Sequence, residues 1–143
     1  MIVSELLRQK DNSLFCIPPD ESLFNCIKIL NDKHLGAVIV LNFEDDVLGI
    51  VSERDALRKT YETRGKLEGI AVSEVMTPRE IMIVGAPDDD IEIVMRKMTA
   101  NAIRHLPILE GNQLKGMVTI GDVARFLLDH AIEEIKLLKT SRA

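Results

Sequence analysis

The residues best placed to do chemistry are a hydroxyl and a carboxylate three positions apart, and the chain carries the pair twice. Ser52 and Asp55 stand in the tract GIVSERD that opens at Gly49, and Thr119 and Asp122 stand in GMVTIGD, which opens at Gly116. Each tract lies where a short apolar run gives way to a helical pattern. A hydroxyl beside the unpaired N–H groups of a helix start suits a phosphate oxygen, and an ionised carboxylate can accept both hydrogens of a sugar cis-diol. The same pair also makes an ordinary helix cap, with the hydroxyl on the backbone and the acid in the first turn. Both readings stay open on residue type alone. Gly49 and Gly116 lack a side chain, which would leave room for a ligand to approach the backbone.

Other chemistry is not visible. His34, His105 and His130 fall on separate elements with no ligand-spaced partner, so no metal centre is expected. Gly65-Lys66 is followed by Leu67 and lacks the upstream glycine of a phosphate-binding loop, and no GxGxxG occurs. No serine can be given a base and an orienting acid from spacing, so catalytic residues are expected to be absent and the protein not to be an enzyme. Eighteen Lys and Arg against 23 Asp and Glu give a formal charge of −5, and aromatic residues make up only 3%, which argues against nucleic-acid partners. Cys16 and Cys26 form no metal or disulfide spacing and read as buried thiols of a reducing cytoplasm. No apolar run is long enough to span a membrane, and the first residues lack an export signal, so no membrane association is expected.

What positions the two tracts is a duplication. Val3-Ser4-Glu5 recurs as Val72-Ser73-Glu74, Pro19-Asp20 as Pro87-Asp88, and Gly49, Val51, Asp55 and Arg58 as Gly116, Val118, Asp122 and Arg125, the separation shrinking by one residue from block to block. In each half, acidic and capping residues (Asp20-Glu21-Ser22, Asp88-Asp89-Asp90) precede apolar residues at helical spacing: Leu23, Cys26, Ile27 and Leu30, then Ile91, Val94, Met95 and Met98. Strand, turn and strand follow, Ala37 to Val51 and Leu106 to Val118, and a second helix begins near Asp55 or Asp122. Met82, Met95, Met98 and Met117 read as core. The last helix carries Val123, Phe126, Leu127, Ala131, Ile135 and Leu138 as one apolar stripe, which either folds back on its own sheet or meets a partner. The fold class is therefore α/β (α+β), two pseudo-symmetric β-α-β-β-α repeats packed through their sheets. Residues 1–60 make the first repeat, 61–70 a connector, and 71–143 the second repeat with an extended C-terminal helix.

The duplicated Gly-x-x-Ser/Thr-x-x-Asp tracts with their Pro-Asp helix starts resemble a tandem pair of CBS domains, a Bateman module. GIVSERD, RHLPI and TIGDV are similar to small stand-alone bacterial CBS-pair proteins. The resemblance implies a non-catalytic sensor that binds an adenine nucleotide in the cleft between repeats, AMP foremost, with ADP, ATP or NAD as alternatives and no catalytic cofactor. On this chain it implies Asp122 and Asp55 at the ribose, with Thr119 and Ser52 near phosphate. It also implies Cys16, Ile17, Ile83 and Val84 as walls around the adenine. The segment Arg104-His105-Leu106-Pro107 and its counterpart Gly36-Ala37-Val38 would run beside base and phosphate. Arg104 can fork onto phosphate oxygens, His105 adds a switchable donor, and Arg54 is a further phosphate candidate, so the Asp122 site is expected to be the stronger. For the arginines a solvated face, and for His105 a structural hydrogen bond, are the plainer alternatives. A homodimer and an unidentified target protein are the implied partners. The alternative is a scaffold without ligand that regulates a separate enzyme or transporter by contact.

Overall fold

Ser22 and Asp90 open the first helix of each repeat in the way their side chains dictate. The computed structural model describes residues 1–10 and 14–141. In it the Ser22 hydroxyl accepts from the Asn25 amide at 3.0 Å, and the Asp90 carboxylate accepts from Glu92 at 2.8 Å. Helix α2 (Leu23–Asp32) and helix α4 (Ile91–Ala100) follow, burying Leu23, Cys26 and Leu30 in one and Ile91, Val94 and Met98 in the other. Each helix leads into a hairpin, β2 (Ala37–Leu41) with β3 (Val47–Ser52), and β5 (His105–Glu110) with β6 (Gln113–Thr119). The second helices are α3 (Glu53–Glu62), which takes in the first two residues assigned to the connector, and α5 (Ile120–Ser141). Met82, Met98 and Met117 are buried and Met95 half-buried.

The repeats differ at their leading strand. In the first, β1 (Cys16–Ile17) runs parallel to β2, pairing Cys16 with Ile39 and Ile17 with Val40, and the Ile39 amide donates to Phe15 at 3.3 Å. In the second, the expected strand at Ile83-Val84 shrinks to one bridge, Gly85 with Ile108, held by the Gly85 amide on the Pro107 carbonyl at 2.9 Å. The position equivalent to Ile39 is Pro107, which has no N–H to give, so the ladder cannot extend by another rung.

The repeated Val-Ser-Glu blocks carry the main structural surprise. Val3–Glu5 opens α1 (Val3–Arg8), and Val72–Glu74 forms a single 3₁₀ turn before a short edge strand, β4 (Thr77–Pro78), on β3. Each block pairs with the helix start of the other repeat. The Val3 amide donates to Asp89 at 2.9 Å and Ser4 to Pro87 at 2.9 Å, while Val72 donates to Glu21 at 2.8 Å and Ser73 to Pro19 at 3.1 Å. In return Ile91 donates to Met1 at 3.0 Å and Leu23 to Ile70 at 2.8 Å. Two compact units result. One takes the N-terminal segment with Gly85–Ile108 and the chain from Lys115; the other takes the chain up to Val84 together with Leu109–Leu114. In the latter, Ile17, Cys26, Leu30, Val38, Val40, Val51 and Val72 form the core, so the second repeat's leading valine completes the first repeat's interior.

The apolar residue four positions after each leading valine then fills the notch left by a strand glycine. A Cβ on Gly116 would lie 2.8 Å from the Leu7 side chain, and one on Gly49 would lie 2.6 Å from both the Met76 sulfur and the Thr77 carbonyl oxygen. This corrects the expectation drawn from those glycines. The room beside each strand is occupied by the chain's own leading segment, not left for a ligand.

Helix α5 settles the stripe question in favour of exposure. Val123 and Phe126 are buried, Leu127 is half-buried, and Phe126 packs its ring against His130 with centroids 4.6 Å apart. From Leu128 to Ser141 every residue is exposed, Ala131, Ile132, Ile135 and Leu138 among them. The helix therefore runs past the core it is anchored in.

Overpacking a filled notch costs about 1–3 kcal/mol, and more where the obstacle is backbone. Gly49→Ala, which meets the fixed Thr77 carbonyl, is expected at the upper end of that range, and Gly116→Ala, which meets only a movable leucine, at the lower end. Urea unfolding of both variants checks the order; equal or reversed losses would contradict the packing described.

Candidate functional site

Both carboxylates of the duplicated tract are bound into helix caps. In the first repeat the Ser52 hydroxyl accepts from the Asp55 amide at 3.2 Å, and one carboxylate oxygen, Asp55 Oδ2, accepts from the Ser52 amide at 2.9 Å and its hydroxyl at 3.0 Å. In the second, Thr119 Oγ1 accepts from the Asp122 amide at 3.0 Å, and Asp122 Oδ2 accepts from the Thr119 amide at 2.9 Å. These are reciprocal capping boxes with Asp in the acidic place. The other oxygen of each acid points at an arginine one turn on: Asp55 Oδ1 lies 3.5 Å from Arg58 and Asp122 Oδ1 lies 3.8 Å from Arg125, both of them exposed side chains. The carboxylates are 12% and 17% exposed, so neither is lost to bulk solvent nor sealed. The plain capping reading is thus realised in both repeats, and one oxygen per acid is left over for other work.

The backbone brings a second predicted segment to each cap. The amide of the residue after the cap donates to the residue that precedes the hairpin, Glu53 to Gly36 at 2.9 Å and Ile120 to Arg104 at 3.0 Å. Arg104 therefore stands beside Thr119 and Asp122, and Gly36 beside Ser52 and Asp55. The Arg104 and Arg54 side chains are exposed, with no ion pair among the described residues. His105 is half-buried at the start of β5. Of the residues expected to wall the base, Cys16, Ile83, Val84 and Gly36 keep accessible surface. Leu106 and Val38 have none, and Ile17, Ala37 and Pro107 are buried, so these five offer a ligand little beyond their backbone. A groove of about 390 Å³ between α2 and α3, running from Ile27 and His34 to Leu57 and Thr60, contains none of these residues. Its charged lining residue is Glu53, which would repel a phosphate, so the groove is set apart from the site.

The residue that the sequence reading passed over is Lys10. Its ammonium donates to Asp122 Oδ2 at 2.7 Å and to the Met117 carbonyl at 2.7 Å. Asp122 Oδ2 thereby accepts from both Lys10 and the Thr119 amide. Burial alone would raise the Asp122 pKa; the Lys10 hydrogen bond, the Thr119 amide and the Lys10 charge outweigh it and hold the carboxyl below its ordinary value. A signal existed in the repeat itself, because Lys10 falls opposite Arg79 when the Val-Ser-Glu blocks are superposed. Arg79, however, donates to the Asn112 side chain at 3.1 Å, so among the described residues Asp55 has no such cation on its inner oxygen.

Both thiols are held above their ordinary value, but the reading of both as buried holds for Cys26 alone, since Cys16 is half-buried. Burial and the charge of Glu21 push Cys26 up to about 11, and burial with the charge of Asp45 raises Cys16. Neither is in a disulfide. Among the described residues no cluster could hold a metal ion, and no helix is long and apolar enough to cross a membrane.

The family model of the CBS domain matches this chain twice, over residues 3–62 and 72–129. The chain belongs to the CBS domain family. Its two repeats are CBS domains, and the mixed α/β fold is that of a CBS pair. The CBS domain-containing protein CBSX3, mitochondrial, of Arabidopsis thaliana is 29% identical over 95% of this chain, which spans 69% of that relative. Among solved structures, the CBS-domain containing protein ATU1752 from Agrobacterium tumefaciens superposes with a TM-score of 0.81 at 29% identity, covering 87% of this chain and 98% of that one. CBSX2 of Arabidopsis thaliana, in its complex with AMP, superposes with a TM-score of 0.75 at 24% identity over 91% of this chain and 98% of its own.

Because the folded Asp122 carboxyl titrates below the unfolded one, the stability it contributes is complete above the ordinary carboxylate value of about 4 and is lost as pH falls through the lowered value. Lys10→Met is expected to cost about 0.5–1 kcal/mol at pH 7, the usual worth of a partly exposed pair. The gap to wild type should close as the pH is taken below about 4. A gap of the same size at pH 3, measured by chemical denaturation, would show that the ion pair is not its source.

Proposed function

We propose that this CBS pair is a regulatory, non-catalytic module that binds an adenine nucleotide at its two capped tracts. AMP is the leading ligand, with ADP, ATP and NAD as alternatives. Asp55 and Asp122 would take the two ribose hydroxyls, one on the outward oxygen and one on the inner oxygen that the cap also uses, with Ser52, Thr119, Arg54, Arg104 and His105 toward the phosphate. One observation carries the reading: two equivalent carboxylates, each fixed by a capping box, keep an oxygen facing outward beside a helix N-terminus. An acid held in place before the ligand arrives loses little freedom on binding. The AMP complex of CBSX2 supports the ligand class.

Free thiols are consistent with a reducing compartment, and we place the protein in the cytoplasm on that ground. The exposed stripe of α5, with Ile132, Ile135 and Leu138, supports a homodimer or a target protein as the partner that reads occupancy. The same stripe favours a second reading, a scaffold that regulates another protein by contact alone.

Calorimetric titration with AMP, ATP and NAD separates the two. The module is expected to take up at least one of them, whereas no heat from any at millimolar concentration would leave only the scaffold. Asp122→Asn keeps a side-chain acceptor for the cap but removes the charge. It is expected to weaken nucleotide binding by about 1.5–3 kcal/mol while the thermal midpoint falls only by the few degrees that loss of the Lys10 pair costs. An unchanged affinity in the folded variant would move the ribose contact to Asp55.

A further inference from the structure

The lysine on Asp122 stands in the way of the sugar that the proposed function puts there. A carboxylate accepts a cis-diol through both oxygens, each with two lone-pair directions. Asp122 Oδ2 has already received the Lys10 ammonium at 2.7 Å and the Thr119 amide at 2.9 Å. The amide is part of the helix and cannot leave without opening the cap. The ammonium can leave: it sits on a flexible four-carbon stem, and the side chain is 24% exposed. A ligand that claims both oxygens of Asp122 must therefore displace Lys10 from the carboxylate and from the Met117 carbonyl together.

What the displaced ammonium meets next depends on the ligand. A nucleoside brings no anion, so Lys10 exchanges two charge-assisted contacts for water. A nucleotide brings a phosphate to the same helix start, within reach of a cation already beside it. We propose that Lys10 is a specificity-determining residue, which makes the Asp122 tract select phosphorylated adenine ligands over unphosphorylated ones by exchanging its carboxylate for the ligand's phosphate. This rests on the nucleotide reading above and goes beyond it by naming the residue that discriminates. The first repeat supplies the contrast. Among the described residues, Asp55 Oδ2 is met only by the Ser52 amide and hydroxyl, and the arginine in the place of Lys10 is turned to Asn112. A hydroxyl rotates away at little cost, so the Asp55 tract carries no such filter. The expected order of strength between the two sites therefore holds for nucleotides and reverses for nucleosides.

The test is calorimetry of the full chain with AMP and with adenosine, on wild type, Lys10→Met and Lys10→Arg, with thermal unfolding to confirm that each variant is folded. Lys10→Gln is the second neutral variant should the methionine disturb the fold. A hydrogen bond to a charged group is worth about tenfold to a hundredfold in affinity. Wild type is expected to prefer AMP by at least about tenfold. The neutral variants should bind adenosine about tenfold more tightly and AMP more weakly, so that the preference collapses, while the arginine variant keeps it. An AMP-to-adenosine preference that the neutral variants leave unchanged overturns the role of Lys10 and leaves the nucleotide reading intact. Failure of all three proteins to bind either ligand removes the nucleotide reading and this inference with it.

Discussion

The exchange of leading segments is the constraint on which the fold depends. A helix start leaves unpaired N–H groups, and the strand glycines Gly49 and Gly116 leave notches that water would otherwise fill. Neither repeat meets both needs with its own residues. Val3 and Ser4 bond to Asp89 and Pro87 while Leu7 enters the notch at Gly116; Val72 and Ser73 bond to Glu21 and Pro19 while Met76 and the Thr77 carbonyl close on Gly49. The two sets of bonds match atom for atom, as a duplicated sequence requires. Val3 and Val72 are each fully enclosed, which is why a repeat cut at its own boundaries would lose a core residue as well as a pairing partner.

The departures from that symmetry fall where single residues change what the backbone can do. Pro107 stands where Ile39 donates, and the second repeat's first strand contracts to one bridge. On the other side, the segment after the leading valine continues as a helix in α1 but turns into the edge strand β4 after Val72, where Pro78 pairs opposite Gly49 and, having no N–H, suits the outer edge. The basic residue that follows each segment is therefore delivered differently. Lys10 reaches the cap of α5, and Arg79 goes to Asn112. Identical ancestry leaves two tracts with the same acid, the same hydroxyl geometry and different cations.

Much of this was legible in residue order, and what was not has a common physical cause. The helix starts at Ser22 and Asp90, the hairpins and the two capped tracts are local features, written in side chains that act on their own backbone within a few residues. The pairing of Val3 with Asp89, the filling of the glycine notches and the Lys10–Asp122 contact join positions far apart along the chain, 112 residues in the last case. Nothing in a local pattern names the partner of a distant group. The repeat showed that Val-Ser-Glu mattered without showing what it touched. Gly49 and Gly116 were read rightly as sites of close approach and wrongly as open to a ligand, because absence of a side chain fixes the space and not its occupant. The stripe on α5 was visible as a period, but only coordinates could show where its burial stops, at Leu127.

The cap and the candidate ligand contact are two uses of one side chain, and the oxygens divide them. Oδ2 of each aspartate belongs to the helix: it satisfies the amide of Ser52 or Thr119, which the chain would otherwise leave unpaired at a partly buried turn. Oδ1 carries most of the remaining capacity, beside Arg58 or Arg125 on exposed stems that can swing aside. A glutamate, the commoner acid of a capping box, adds a methylene and a rotatable bond, and its outward oxygen would be less firmly aimed. The shorter aspartate fixes the cap and by the same bonds fixes the direction of the free oxygen. Local folding chemistry thereby pre-organises a polar group, and the distant lysine then adjusts what that group can receive in one repeat and not in the other.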